Sequence, residues 1–453
     1  MKGRSFMKDL ISIDLDRFFA RTIGAGGLEA GDLDAAATRG AFETFEERRA
    51  AGQTGFADLG ARLDLAEACI EAAAEIRSEA SDFVHLGIGG SALGPRALVG
   101  ALAHPRYNLL DRRRRGGPRI FFLENVDPES LASLREVIDP ARTWVHVVSK
   151  SGGTVETVSQ WLVMRAWLAA AAGGEAVRRR VLFTTDPEKG YLRRLARAEG
   201  IRALEIPPNV GGRFSALTPV GLLPLAVAGV DPRGILQGAR AVTEACASAE
   251  IGENPGLRLA AALHALHTRR QKEIHVLMAY ADSLADTAEW FRQLWAESLG
   301  KSRDREGRAA AAGPTPVKAV GAIDQHSQLQ LYLEGPENKA ILFLGVKRFR
   351  EAVPIPHDAS GHSETAYLGG HEIGEVLQVE RRATEEALVR RGRPSGTLLL
   401  EALSPAPLGA LYQLLELATA YAGELYGIDA FDQPAVELGK RIAHSALTRS
   451  DRS

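Results

Sequence analysis

An apolar run beginning at Phe83 ends abruptly in Gly87-Ile88-Gly89-Gly90-Ser91, and Pro95 follows where a helix would open. The run reads as a buried strand, and its glycines and serine as a tight turn. Proline suits the first turn of a helix, where its missing N–H costs nothing. Strand, glycine turn and helix start together present unpaired backbone N–H groups at the positive end of a helix dipole, a favourable place for an anion. The stretch reads as an anion cradle, and the rest of the chain bears on which anion it takes.

The same pattern recurs downstream. Strands are predicted at Ile120–Leu123, Trp144–Val148, Val181–Thr184 and Ala203–Ile206, separated by helices after Asp127-Pro128-Glu129, from Thr154 to about Ala171, and over Tyr191–Glu199. Strands alternating with helices imply parallel order with right-handed crossovers, hence an α/β, doubly wound architecture. Pro207–Arg213 is a Pro/Gly-rich connection and a plausible domain edge. A second alternating set follows: strand Ile274–Tyr280, helix Thr287–Leu299, strand Val317–Val320, helix Gln325–Leu333 and strand Ala340–Leu344. Gly396–Leu403, a long helix around Leu408–Gly427 and a final helix near Ala435–Ala446 complete it. The expected organisation is a wrapping segment (1–60), two α/β domains (61–210 and 211–430) and a C-terminal helix (431–453). Residues up to about Asp58 carry no recognisable chemistry.

Ligands of doubly wound sheets sit outside the carboxyl ends of the strands. Two turns qualify: Gly87–Ser91, and Ser149-Lys150-Ser151-Gly152-Gly153-Thr154, which adds three hydroxyls and a lysine. A phosphate monoester fits both. A dinucleotide is the rival, since Gly87 to Ala92 satisfies a loose G-x-G-x-x-A. That fingerprint also wants an acid about twenty residues on. Glu124 lies well beyond that spacing, and Asp111 falls in the basic run Arg112–Arg115, itself read as a solvated loop. A net charge of −2 gives no support to a nucleic-acid partner. The longest apolar run, Val220–Val230, contains a proline and is too short to span a bilayer, so it reads as core. Cys69 and Cys246 suggest neither a disulfide framework nor a metal knuckle, and His357, His362 and His371 lack metal-ligand spacing. With no leader evident, a cytoplasmic protein using no metal and no cofactor is expected.

Further residues stand out by context: Arg213 behind Gly211-Gly212, Glu297 near the end of an amphipathic helix, and His326 in a helical first turn behind Asp324. Asn209-Val210-Gly211-Gly212-Arg213-Phe214-Ser215 through Gly221, and Phe431-Asp432-Gln433-Pro434-Ala435-Val436-Glu437-Leu438-Gly439-Lys440, match two signatures of one family. With the Gly87–Gly94 turn, the Ser149–Thr157 loop, the Glu297 motif and His326 in the same order, the sequence resembles the glucose-6-phosphate isomerase family from about residue 83 to about 446. The resemblance implies paired sugar-isomerase domains and reversible conversion of glucose 6-phosphate to fructose 6-phosphate through a cis-enediolate, in glycolysis and gluconeogenesis. It implies Glu297 as the base, Arg213 as enediolate stabiliser, and His326 with Lys440 for ring opening. Gly90, Ser91, Ser149, Ser151 and Thr154 would hold the phosphate of the sugar-phosphate substrate. It further implies a homodimer with a shared site. One departure is Gly153, where the family commonly has threonine. A non-catalytic sugar-phosphate sensor and a nucleotide-dependent oxidoreductase are the alternatives.

Overall fold

Two five-stranded sheets organise the chain. The computed structural model describes residues 7–449. The extreme ends of the predicted wrapping segment (1–6) and C-terminal helix segment (450–453) lie outside the described residues. An early strand, β1 (Ile11–Asp14), belongs to the second sheet, and the first is built from β2 (Asp82–Leu86), β3 (Arg119–Leu123), β4 (Thr143–Val148), β5 (Val181–Thr185) and β6 (Arg202–Glu205). Its order is β3-β2-β4-β5-β6, with every pair parallel. β2, β4 and β5 are buried along their whole length, which accounts for their mainly apolar composition on both faces.

The second sheet contains β7 (Ile274–Ala279), then, past a small hairpin of β8 (Lys301–Arg303) and β9 (Ala309–Ala312), β10 (Thr315–Val320), β11 (Lys339–Arg348) and β12 (Ser395–Ala402). Its order is β1-β12-β11-β7-β10. In each sheet the first strand of the set is flanked by the second and third, with the fourth beyond the third. The fifth place differs: β6 is parallel, whereas β1 pairs antiparallel with β12, Ile11 opposite Leu400. The N-terminal segment, expected only to wrap a domain, therefore supplies an edge strand of the second sheet. Its period-two pattern covers only four residues, and its partner lies at the far end of the chain.

The apolar segment read as core is the helix Pro219–Val227, buried at every residue. Beside it, Arg233–Ala245 and Pro255–Arg270 pack on the almost wholly buried Pro405–Leu425 helix. The helix after Thr154 is interrupted at Gly173 (φ 80°), near its predicted end, and resumes to Arg180. Arg112–Arg115 is solvated as expected, with Arg113 and Arg114 exposed, but it is one helical turn capped by Asp111 and not a loop. Arg112 donates to the carbonyls of Ala80 and Arg77, and Arg115 to that of Gly117.

The predicted 324–335 helix is also different. A 3-10 turn, Ile323–His326, is followed by a separate short helix, Leu329–Glu334. Asp324 accepts from the Val320 N–H behind it (2.7 Å) and from the Ser327 hydroxyl ahead of it (2.5 Å), so it closes the strand end, and Leu329–Glu334 starts at Gln328 without a side-chain cap.

Candidate active site

The first sheet has its topological switch point between β2 and β4, and both predicted anion turns follow those strands. Gly89–Ser91 forms a 3-10 turn in which Gly89 has φ 57°, a conformation that favours glycine. A Cβ on Gly90 would overlap the Gly212 carbonyl and lie 2.7 Å from the Arg213 amide nitrogen. Glycine is thus required for the turn to touch the connection that carries Arg213. In the other turn the Ser149 and Thr154 hydroxyls are 2.8 Å apart, and Ser151 Oγ lies 3.4 Å from each. Thr154 is the N-cap of the Val155–Arg180 helix but makes no side-chain cap bond, which leaves first-turn amides unclaimed by it. Lys150 does not join this cluster. Its ammonium donates to the carbonyls of Pro208 (2.8 Å) and Val210 (2.7 Å), tying the hydroxyl turn to the same connection. Burial pushes the Lys150 ammonium below the usual lysine range, against the pull of Asp186.

The carboxylate comes from the other half. Glu297 lies in the last turn of the Ala285–Leu299 helix, partly exposed, with Oε2 3.7 Å from Arg213 Nη1. Gln293, one helical turn earlier, donates from Nε2 to Glu297 Oε1 (3.2 Å). The same Nε2 lies 2.8 Å from where a Gly89 Cβ would stand, so glycine turn, glutamine and carboxylate are in sequence. Arg213 is 5% exposed. Its Nε donates to Ser298 Oγ (2.7 Å), Nη1 to Gln433 Oε1 (2.8 Å), and Nη2 to the carbonyls of Ala430 and Asp432. Burial lowers the guanidinium's affinity for its proton, opposed by the carboxylates of Glu297, Asp432 and Asp429. An arginine so held remains charged at neutral pH and aims a fixed field at the carboxylate.

Lys301 closes the helix end, donating to the carbonyls of Glu297 (2.8 Å) and Ser298 (3.0 Å), with Asp432 Oδ1 at 3.6 Å. The second signature is therefore split. Its opening residues, Phe431 to Gln433, meet Arg213 and Lys301, whereas Lys440 sits on the exposed Val436–Arg449 helix, its Nζ 2.6 Å from Glu437 Oε1. His326 is exposed on its 3-10 turn. Glu124, the rival ribose acid, is engaged by Arg96 Nη1 (2.7 Å), and Arg96 also meets Asp286. His371 pairs with Glu375 (2.9 Å). The sequence reading overlooked Gln293 and Gln433. Spacing by one helical turn from Glu297 marks the first, and membership of the second signature marks the other.

Fold and site together define the class: a doubly wound α/β protein with two related sheets and a polar site where they meet. The family model for phosphoglucose isomerase matches residues 71–453. Glucose-6-phosphate isomerase of Rubrobacter xylanophilus is 49% identical over 87% of this chain and 89% of its own length. That of Carboxydothermus hydrogenoformans is 45% identical over 97% and 95%. Among solved structures, a hypothetical protein from Thermus thermophilus matches with TM-score 0.86 at 38% identity, covering 97% of this chain and all of that one. Glucose-6-phosphate isomerase from Chlamydia trachomatis matches with TM-score 0.75 at 25% identity, over 86% of this chain and 74% of that one. The chain belongs to the phosphoglucose isomerase family.

Proposed function

We propose that this protein interconverts glucose 6-phosphate and fructose 6-phosphate through a cis-enediolate. One observation carries the reading: the Glu297 carboxylate faces the buried Arg213 guanidinium at 3.7 Å, next to the glycine turn. An aldose–ketose shift moves a proton between C2 and C1. A carboxylate beside both carbons can abstract it and return it to the neighbour, and positioned bases of this kind contribute about 10²–10⁴-fold. Negative charge then builds on the enediolate oxygens, where the field of Arg213 stabilises it. Gly90, Ser91, Ser149, Ser151 and Thr154 hold the phosphate, whose binding energy orients the reacting carbons.

Ring opening needs a proton at the ring oxygen. In this reading His326, reaching in from the neighbouring subunit of a homodimer, supplies it together with Lys440. Support comes from the exposure of His326 beside exposed Ile323 and Leu331, with Ile373 and Val379 on the helix that Gln325 bonds. A role for Lys440 requires its helix to seat against the site, since Glu437 now holds the ammonium. A cytoplasmic location belongs to the same reading.

Purified protein, with chelator present and no added cofactor, should convert glucose 6-phosphate to fructose 6-phosphate. Binding without conversion favours a sensor, and an absorbance change of added nicotinamide cofactor favours an oxidoreductase. Mixing Glu297→Gln and His326→Ala subunits under exchange conditions should restore up to about half of wild-type activity per dimer if His326 acts in trans. Confirmed heterodimers without recovery would place His326 in its own subunit's site.

A further inference from the structure

His85 and His146 face each other on β2 and β4, at the switch point directly beneath the two turns. Both rings are fully buried. Their partners specify both tautomers. The Ser91 carbonyl can only accept, so His85 Nε2, 2.7 Å away, carries the proton. A neutral His85 then has an accepting Nδ1, and His146 Nδ1, 3.1 Å from it, must donate. That leaves His146 Nε2 to accept from the Thr184 hydroxyl at 2.7 Å. Every ring nitrogen is satisfied while both rings are neutral, and burial holds them so, His85 down to about 4 and His146 well below the usual histidine range.

The chain of bonds does not stop at Thr184. The Thr184 carbonyl accepts from the Ser149 N–H (3.1 Å), and the Thr185 hydroxyl donates to the Ser149 carbonyl (2.7 Å). The one-way side-chain run from Thr184 through His146 and His85 to the Ser91 carbonyl is thus anchored, by the backbone of Thr184 and the hydroxyl of Thr185, to the start of the hydroxyl turn. Filling the space between two strands does not call for this: apolar side chains would do so without two rings to satisfy. At its far end the run draws the Ser91 carbonyl inward, and a carbonyl oxygen bonded into the core is kept away from an anion above the turn.

We propose that His85 is a positioning residue for the substrate phosphate, holding the Gly89–Ser91 turn by its Ser91 carbonyl. His146 and Thr184 key that turn to the Ser149 loop, so that two turns present their donors to one phosphate at a set spacing. The inference rests on reading the two turns as the phosphate site.

Asparagine places its amide near the position of a histidine Nδ1, and glutamine near that of Nε2. His85→Asn therefore keeps the contact with His146 and gives up Ser91, while His85→Gln keeps the bond to Ser91. KM for glucose 6-phosphate and competitive inhibition by inorganic phosphate are measured for both. His85→Asn should weaken each by about tenfold, the size of one hydrogen bond to a held group, with kcat within about twofold. His85→Gln should stay within about twofold of wild type throughout. A merely structural pair would alter melting temperature and leave this contrast absent. Wild-type phosphate inhibition in His85→Asn, or equal weakening in both variants, overturns the proposal. Should His85→Asn not fold, Thr184→Val cuts the run at its other end. A rise in KM of about threefold is then expected, and no rise overturns it. Ser149→Ala/Thr154→Ala separates the two levels. If that double variant keeps wild-type phosphate inhibition, the phosphate-site reading fails and the bridge with it. If it is weakened while His85→Asn is not, the bridge alone fails.

Discussion

The two sheets share a strand order and differ in what they hold at their ends. After β2 and β4 stand glycines and hydroxyls, which bind by neutral donors, and even Lys150 there is spent on backbone carbonyls. After β7 comes a helix that ends in Glu297, set against Arg213 from the connection between the halves. One half is suited to gripping a charge that does not change during reaction, the other to handling charge that appears and disappears. Hydroxyls and amides cost little to bury when bonded, whereas a buried guanidinium needs the full set of acceptors seen around Arg213. Repeating an architecture therefore does not repeat its chemistry. The strand order supplies a place for a ligand, and the turn residues decide what happens there.

The sharpest way to break this division is Glu297→Gln, which keeps shape and removes the carboxylate proposed as the base. We expect kcat to fall by about 10²–10⁴-fold, KM to change little, and exchange of the C2 proton of glucose 6-phosphate with solvent to vanish. Near-normal exchange would move the base elsewhere.

A second contrast is in acid and alkali. His85 accepts a proton in the folded state only near pH 4, whereas an unfolded histidine does so near 6.5. The stability this neutral ring contributes is present above about pH 6.5 and is lost as pH falls toward 4, by roughly 3 kcal/mol for a shift of this size. Glu416, on the Pro405–Leu425 helix, behaves oppositely. Its carboxylate is fully buried with neither oxygen hydrogen-bonded among the described residues, and burial pushes its proton affinity well up. Its contribution is present below the ordinary glutamate pKa and declines as pH rises above it. Thermal melts should show Glu416→Gln gaining stability over wild type at pH 8 and none at pH 4. A gain of equal size at both would mean that the carboxylate is not the titrating group.

Ser149→Ala/Thr154→Ala should raise KM for the sugar phosphate about 10–100-fold, two hydrogen bonds at about 1 kcal/mol each, with a smaller loss in kcat. If kcat falls as far as KM rises, the two halves are not divided as described. The smallest effect is expected from Gly153→Thr. A Cβ there meets nothing within 4 Å, so the added hydroxyl should lower KM by about two- to fivefold, measured by steady-state kinetics.

Much of this was legible in the sequence because it is local. β2 and β4 announce themselves as apolar runs, and the glycine turn could serve only a close approach. What the reading lost is held by register or distance. His85 and His146 are single polar residues in apolar strands, and only the β2–β4 pairing makes them a pair. The splitting of the predicted 324–335 helix turns on the direction in which one Asp324 carboxylate bonds. Lys150 adjoins the hydroxyls in sequence, yet its stem carries the ammonium away to the carbonyls of Pro208 and Val210.

The antiparallel edge strand has a consequence for biosynthesis. Every strand of the first sheet lies within residues 82–205, so this layer has all its partners once that stretch has left the ribosome. β1 emerges long before, yet its hydrogen bonds await Thr397 to Leu400. Until those residues emerge, four residues with an unpaired edge must stay out of other pairings, a hazard that their shortness and the charge of Asp14 reduce. The second sheet can be finished only after β12 has emerged, about two hundred residues after the first has all its strands.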